Sequence, residues 1–177
     1  MKYAGRLAVF ALISEIPFDL AISGTWWSSS YSNVFFTLVL GLLTIWALSY
    51  IEKFHEFWQE KHWEPILGRI LTLSAGLIVM VGFGAFAEMV LYTDYGIGGI
   101  IAIAVMYLLR NQRVAAFGAG VLVLTVITGD IEILAMLMLY PIMKYDGSRG
   151  KNMKMVFYAF YPMHLLILAL ICMMIGV

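Results

Sequence analysis

Six carboxylates and one histidine are the side chains of this sequence best suited to moving a proton. Glu15, Asp19, Glu88, Asp94, Asp130 and Glu132 lie in or beside apolar stretches, and no Lys or Arg accompanies them there. Ionisable groups inside a membrane are costly, so they face the bundle interior and mark proton relays or substrate paths. A buried carboxyl without a cationic partner keeps its proton to higher pH, which suits proton exchange. Glu15 and Asp19 are four residues apart and therefore share one face of a helix. His164 closes the run Phe157-Tyr158-Ala159-Phe160-Tyr161-Pro162-Met163-His164. Pro162 removes one helical N–H and disturbs the carbonyl of Tyr158, which puts polar backbone at depth. At the helical rise per residue, His164 stands ~15 Å above the start of its segment, near mid-membrane. An imidazole there can shuttle a proton or orient a substrate.

Each of these residues also has a purely structural use. Asp94 and Asp130 sit on tight turns and can cap the helices that follow. Glu132, in the first turn of its segment, is favoured by the helix dipole. Glu15, Glu88 and His164 can each do no more than hydrogen-bond a neighbouring helix. His55 and His62 are seven apart and fall near each other on a helix, but no compact ligand set surrounds them, so a solvated face is expected and no metal. Cys172, the single cysteine, lies among Leu, Ile and Met and reads as a small buried hydrophobe.

The elements that must hold these groups are seven apolar stretches, at about 3–21, 34–51, 66–91, 95–109, 114–128, 131–143 and 155–176. Threaded up and down, they bring all 11 Lys and Arg to one face. Positive charge resists translocation, so that face is expected to be cytoplasmic, with the N-terminus inside and the C-terminus outside. The acids and Trp26 and Trp27 then belong to the outer half. Three of the stretches are short. At ~1.5 Å per residue they reach ~20–23 Å, against ~30 Å of hydrocarbon. The pair within 114–143 either extends into its polar flanks or forms a re-entrant hairpin with its tip at Gly129-Asp130. Glu52, Glu56, Glu60 and Glu64 recur every four residues, and Phe54, Phe57 and Trp58 supply an apolar side. That pattern predicts a short interfacial helix closed by Pro65.

Composition agrees. The chain is 63% hydrophobic and 12% charged, against ~45–50% and ~25% in soluble domains, so it is an integral membrane protein. A spanning backbone must satisfy itself, as helices or as a closed barrel. The apolar runs are continuous rather than alternating, which selects an all-α polytopic bundle in one transmembrane domain, 1–177. Net charge is zero and no basic stripe exists beyond the inner loops, which argues against a nucleic-acid partner.

Several runs resemble a known family. Leu12 to Leu20 (Leu-Ile-Ser-Glu-Ile-Pro-Phe-Asp-Leu), Asn33 with Phe35-Phe36-Thr37, Asp94 to Gly99, Tyr145 to Gly150 and Phe157 to Leu165 match the TraX family in order and spacing across nearly the whole chain. The resemblance implies a multi-pass protein of the inner membrane. The family's namesake acetylates the N-terminus of conjugative pilin, and the family resembles membrane acyltransferases that draw on cytoplasmic acetyl-CoA. It therefore implies acetyl-CoA as donor, approaching Lys144, Arg149, Lys151 and Lys154, and a pilin-like peptide or a small molecule as acceptor. His164, Glu15, Glu88 and Asp94 would line the route or assist proton transfer. Family members usually carry about two further helices ahead of the part that matches Met1–Arg6, and the first holds an Asp-His pair. The sequence contains no such pair, so it is expected to be the C-terminal portion of a longer architecture, and an active and an inactive form both stand at this point. A proton-coupled small-molecule transporter and a non-catalytic membrane subunit are the alternatives that the buried ionisable residues also fit.

Overall fold

The computed structural model describes residues 2–28, 31–60, 65–148, 150–151 and 153–175; for residues 2, 58–60, 65, 130 and 154 it describes the backbone alone. The elements are α1 (Lys2–Ser23), α2 (Val34–Glu60), α3 (Pro65–Met89), α4 (Gly96–Leu108), α5 (Arg113–Thr128), a 3-10 helix (Asp130–Met138), α6 (Leu139–Lys144) and α7 (Lys154–Ile175). No strand occurs among the described residues; Ser32 and Thr93 form an isolated parallel bridge. Among the described residues, three helices are long and apolar enough to cross a membrane, in the ranges Val34–Phe57, Ile66–Met89 and Met155–Ile175, with Gly96–Leu108 and Arg113–Thr128 as shorter apolar helices.

The helices form a row. α7 packs on α1, α1 on α2, and α2 on both α3 and α4; α5 lies against α4, and the 3-10 helix and α6 run back along α5. The buried core is small and built on close approach, with Ala11, Ala87, Ile100 and Ala104 fully enclosed. Gly41 of α2 shows why: a Cβ there would collide with Ile103 of α4. Large apolar side chains point outward, such as Leu73 and Ile78 of α3. In lipid that outward face costs nothing, because acyl chains are as apolar as leucine.

Two expectations need correction. Glu52 to Glu60 is no separate interfacial helix, because α2 runs unbroken through it to Glu60. The stretch contains no Gly or Pro to end the helix, and Arg110 and Tyr107 of the α4 end both hold Glu52. Pro65 opens α3 instead of closing anything, as befits a residue whose missing N–H is not needed in a first turn. The residues around His62 lie outside those described. The second correction concerns 131–143, which is a 3-10 helix followed by a six-residue α-helix. A continuous α-helix would require Pro141 to donate to the carbonyl of Leu137, and proline has no proton to give. The 3-10 rise of ~2.0 Å per residue stretches the segment to ~27 Å with α6, longer than an α-helix of the same residues.

The bundle is polar where its helices begin and end, in a different way on each side. At one end the start of α2, the α3–α4 loop and the start of the 3-10 helix meet. At the other, the end of α2 meets the α4–α5 turn, and the residue after α6 meets Arg113.

Candidate functional site

The site is built on the first turn of α2. After α1 the chain turns at Gly24, with φ +65°, and folds back along α1. The Ser28 N–H donates to Asp19 Oδ2 at 2.8 Å, and Asn33 Nδ2 donates to the Ala11 carbonyl at 2.8 Å. α2 therefore begins beside the middle of α1. Its opening N–H groups have no helical partner of their own. Asn33 caps them, its Oδ1 accepting from the Phe35 N–H at 3.0 Å. The Asn33 N–H and Nδ2 both donate to the Glu15 carboxylate. The Val34 N–H is bonded to the Tyr161 hydroxyl, which α7 brings across. Glu15, Asp19 and Asn33 are all buried. A carboxylate and a phenol thus share the positive end of one helix, the place where a backbone best supports negative charge.

Tyr161 ties this turn to His164. Its ring stands edge-on to Phe35, with centroids 4.7 Å apart, and edge-on to the imidazole at 5.3 Å. His164 also stacks on Phe160, and its Nδ1 lies 3.0 Å from the Phe160 carbonyl. A carbonyl only accepts, so Nδ1 carries the proton, and Nε2 of the neutral ring is left with a lone pair.

The α3–α4 loop closes the same end. The Asp94 N–H donates to the Ser32 carbonyl at 3.1 Å, and Ser32 N–H to the Tyr92 carbonyl at 3.0 Å. Gly96, with φ +45°, takes a conformation that L side chains rarely adopt, and the Glu88 carboxylate fills the space where its Cβ would be. Glu88 accepts from the Ile97 N–H at 3.2 Å, so it caps α4. Tyr95 shares a hydrogen bond with Glu132. Asp94 keeps part of its surface exposed, yet lost hydration and then the charge of Glu132 push its carboxyl above the usual range. The same causes in the same order, followed by the charge of Asp94, raise the Tyr95 hydroxyl.

Of the expected proton-handling residues, the structure gathers three around Tyr161: Glu15 and Asp94 within electrostatic reach of its hydroxyl, and His164 against its ring. Glu88 belongs to the same loop but is spent on the start of α4. Asn33, Tyr161 and Tyr95 were not among the expected site residues. Asn33 carried a usable signal, an Asn directly before an apolar run, which is a helix start. The buried hydroxyls of Ser14, Thr37 and Thr93 have no hydrogen-bond partner among the described residues. No group of three or more His, Cys, Asp or Glu could hold a metal among them either.

Of the expected donor-binding cations, Lys144 and Lys151 lie at the opposite end. Lys144 lies over the Tyr140 ring at 5.8 Å and Lys151 is exposed. Arg149 and the Lys154 side chain lie outside the described residues. Nearby, Arg110 pairs with Glu52 at 3.1 Å. His55 does not sit on a solvated face: it is half-buried, its Nδ1 2.9 Å from Thr72 Oγ1, in a cavity of ≈530 Å³ between α2 and α3.

Among known sequences, a family model described as TraX protein matches residues 1–172. No curated protein and no solved structure matches.

Proposed function

The chain belongs to the TraX family, and on that premise we propose that it is a membrane acyltransferase, moving an acetyl group from cytoplasmic acetyl-CoA to an amine or hydroxyl that arrives from the other side. In this reading the N-terminus and the basic end face the cytoplasm, and Lys144, Arg149, Lys151 and Lys154 receive the phosphates of the donor. The acceptor, an N-terminal amine of a pilin-like peptide or a small molecule, enters at the end bearing Glu15 and Asp94.

The observation that carries the site is the convergence on the α2 start of a phenol, a carboxylate and, through the phenol, an imidazole. The acceptor nitrogen forms a bond to the thioester carbon while His164 Nε2 takes its proton. The Tyr161 oxygen is occupied by the Val34 N–H, so its own proton is free to donate to the carbonyl oxygen as negative charge develops there. Collapse breaks the carbon–sulfur bond, and the histidine proton passes to the departing thiolate. Glu15 holds Asn33, and through it the turn that positions Tyr161; Asp94 stands where the acceptor enters.

Purified protein incubated with labelled acetyl-CoA and candidate acceptors is expected to transfer label, and His164→Ala to lose on the order of 10²–10⁴ in rate. No transfer by the wild type, or full transfer by the variant, would overturn this assignment. A second reading is favoured by the unpartnered hydroxyls of Ser14, Thr37 and Thr93 beside the same turn. Buried donors and acceptors of this kind line proton-coupled permeation paths, and proton-driven uptake into vesicles without acetyl transfer would select it.

A further inference from the structure

A second cavity, of ≈550 Å³, lies at the basic end between α4, α5 and α6, lined by Met106, Arg110, Arg113, Phe117, Ile142 and Tyr145 among others. Its walls are apolar and two guanidinium groups stand in its lining. They are not equivalent. Arg110 is held in place: it donates twice to the Glu52 carboxylate and once to the Tyr107 carbonyl, and it stacks over the Tyr107 ring at 4.2 Å. Its charge is matched by Glu52. Arg113 makes one long contact, 3.5 Å to the Tyr145 carbonyl, and lies 5.6 Å from the Tyr145 ring. It brings a positive charge that no carboxylate answers among the described residues, and most of its donors remain available for a planar, two-pronged contact with phosphate.

The cavity also lies at the margin of the row. α6 packs only on α5 and the 3-10 helix, so no further helix covers this side among the described residues. Tyr140 and Met143 on the same short helix are exposed. An apolar cleft at the bundle edge, with a fixed and a free guanidinium at headgroup depth, has the shape and charge of a lipid seat. Basic pockets between transmembrane helices bind anionic headgroups in this way.

We propose that the α4–α5–α6 cleft binds one anionic phospholipid, its phosphate on Arg113 and Arg110 and its acyl chains along Met106, Phe117 and Ile142. The site is separate from the proposed chemistry and stands whether or not acetyl transfer is found. Its occupant joins α4 to the α5–α6 hairpin, two parts of the row that otherwise meet through α5 alone.

The test is lipid binding by native mass spectrometry, with phosphatidylglycerol and phosphatidylcholine titrated onto the full chain in detergent. Wild type is expected to retain one phosphatidylglycerol about tenfold more tightly than phosphatidylcholine, the size of one charge-assisted contact. Arg113→Gln should abolish the preference. Arg69→Gln, which removes another exposed cation from α3, should leave it intact. Arg113→Lys keeps the charge without the fork, so it should keep part of the preference and serves if the Gln variant does not fold. Equal preference in wild type and both Arg113 variants would overturn the proposal. So would displacement of the bound phosphatidylglycerol by coenzyme A, which would assign the cleft to a soluble donor.

Discussion

The two ends of the bundle satisfy a carboxylate in opposite ways. Glu52 at the basic end is answered by charge, through Arg110 at 3.1 Å, and by the Tyr107 hydroxyl at 2.9 Å. Glu15 at the other end is answered by no cation, but by the Asn33 backbone and side-chain amides and, more weakly, by the Ser32 side chain. The Glu52–Arg110 pair is partly open to solvent, with side-chain exposures of 35% and 46%; Glu15 is buried. An exposed pair is screened and contributes little to stability. A buried carboxylate held by directional hydrogen bonds fixes geometry, and losing its amide donors leaves it short of partners. The end with fewer charges is therefore held by buried, directional hydrogen bonds, and these surround the residues proposed to do chemistry.

The sharpest way to break this comparison is at Asn33. Asn33→Ala removes the cap of α2 and a donor to both Glu15 and the Ala11 carbonyl. It should destabilise the protein by about 2–4 kcal/mol, combining a lost cap with a buried acceptor left short of a partner. Unfolding in mixed micelles measures this, and a loss as small as that of a surface substitution would remove the asymmetry. Glu52→Gln should cost about 0.5 kcal/mol or less, since the amide keeps a hydrogen bond and the ion pair is exposed. A loss matching Asn33→Ala would show that the basic end is equally determined.

A smaller effect carries a sign. Asp94 has a raised folded pKa, so the folded state favours its neutral form. Its ionisation weakens the fold as pH rises through that folded value, and below the ordinary 3.8 both states are protonated. Asp94→Asn should therefore match wild type in acid and become relatively more stable as pH rises. Asp146 at the basic end is the reverse: the Ser148 N–H donates to it at 2.8 Å and lowers its carboxyl below the ordinary 3.8. Its contribution is present above 3.8 and is lost as pH falls through the folded value, so Asp146→Asn should be relatively less stable at neutral pH and match wild type in acid. Stability curves of the two variants against pH should diverge in opposite directions, and parallel curves would contradict the assignment of the two causes.

Much of the fold was legible in the sequence. The ends of α1, α3 and α7 follow from where polar residues interrupt the apolar runs, whereas α2 runs on through its polar stretch to Glu60, and the shared face of Glu15 and Asp19 follows from their spacing. The faces of the helices did not follow. Lipid and protein interior are equally apolar, so Leu73 and Ile78, which point outward, look the same in sequence as buried Ile100. Nor could local pattern reveal that Asn33 reaches Ala11 and Glu15, because those bonds join residues about twenty apart through a loop that folds back. The break at 131–143 depended on one proline whose consequence is register-specific. His55 read as solvated because the helix carrying it seemed to lie on the surface, whereas α2 continues and presents it to Thr72.

The folded-back segment before α2 has a further consequence. α2 starts level with Ala11 to Glu15, so the last eight residues of α1, from Ile16 to Ser23, rise past it by ~12 Å. Over that height the chain gathers polar groups, with Ser28 bonded to Asp19 and Asp94 to Ser32. In the acyltransferase reading, an acceptor arriving from that side has correspondingly less of the ~30 Å of a bilayer to cross before it meets Glu15 and Tyr161. The thickness that separates the two sides is set by the remainder, where buried Thr44 returns its hydroxyl to the Leu40 carbonyl of its own helix.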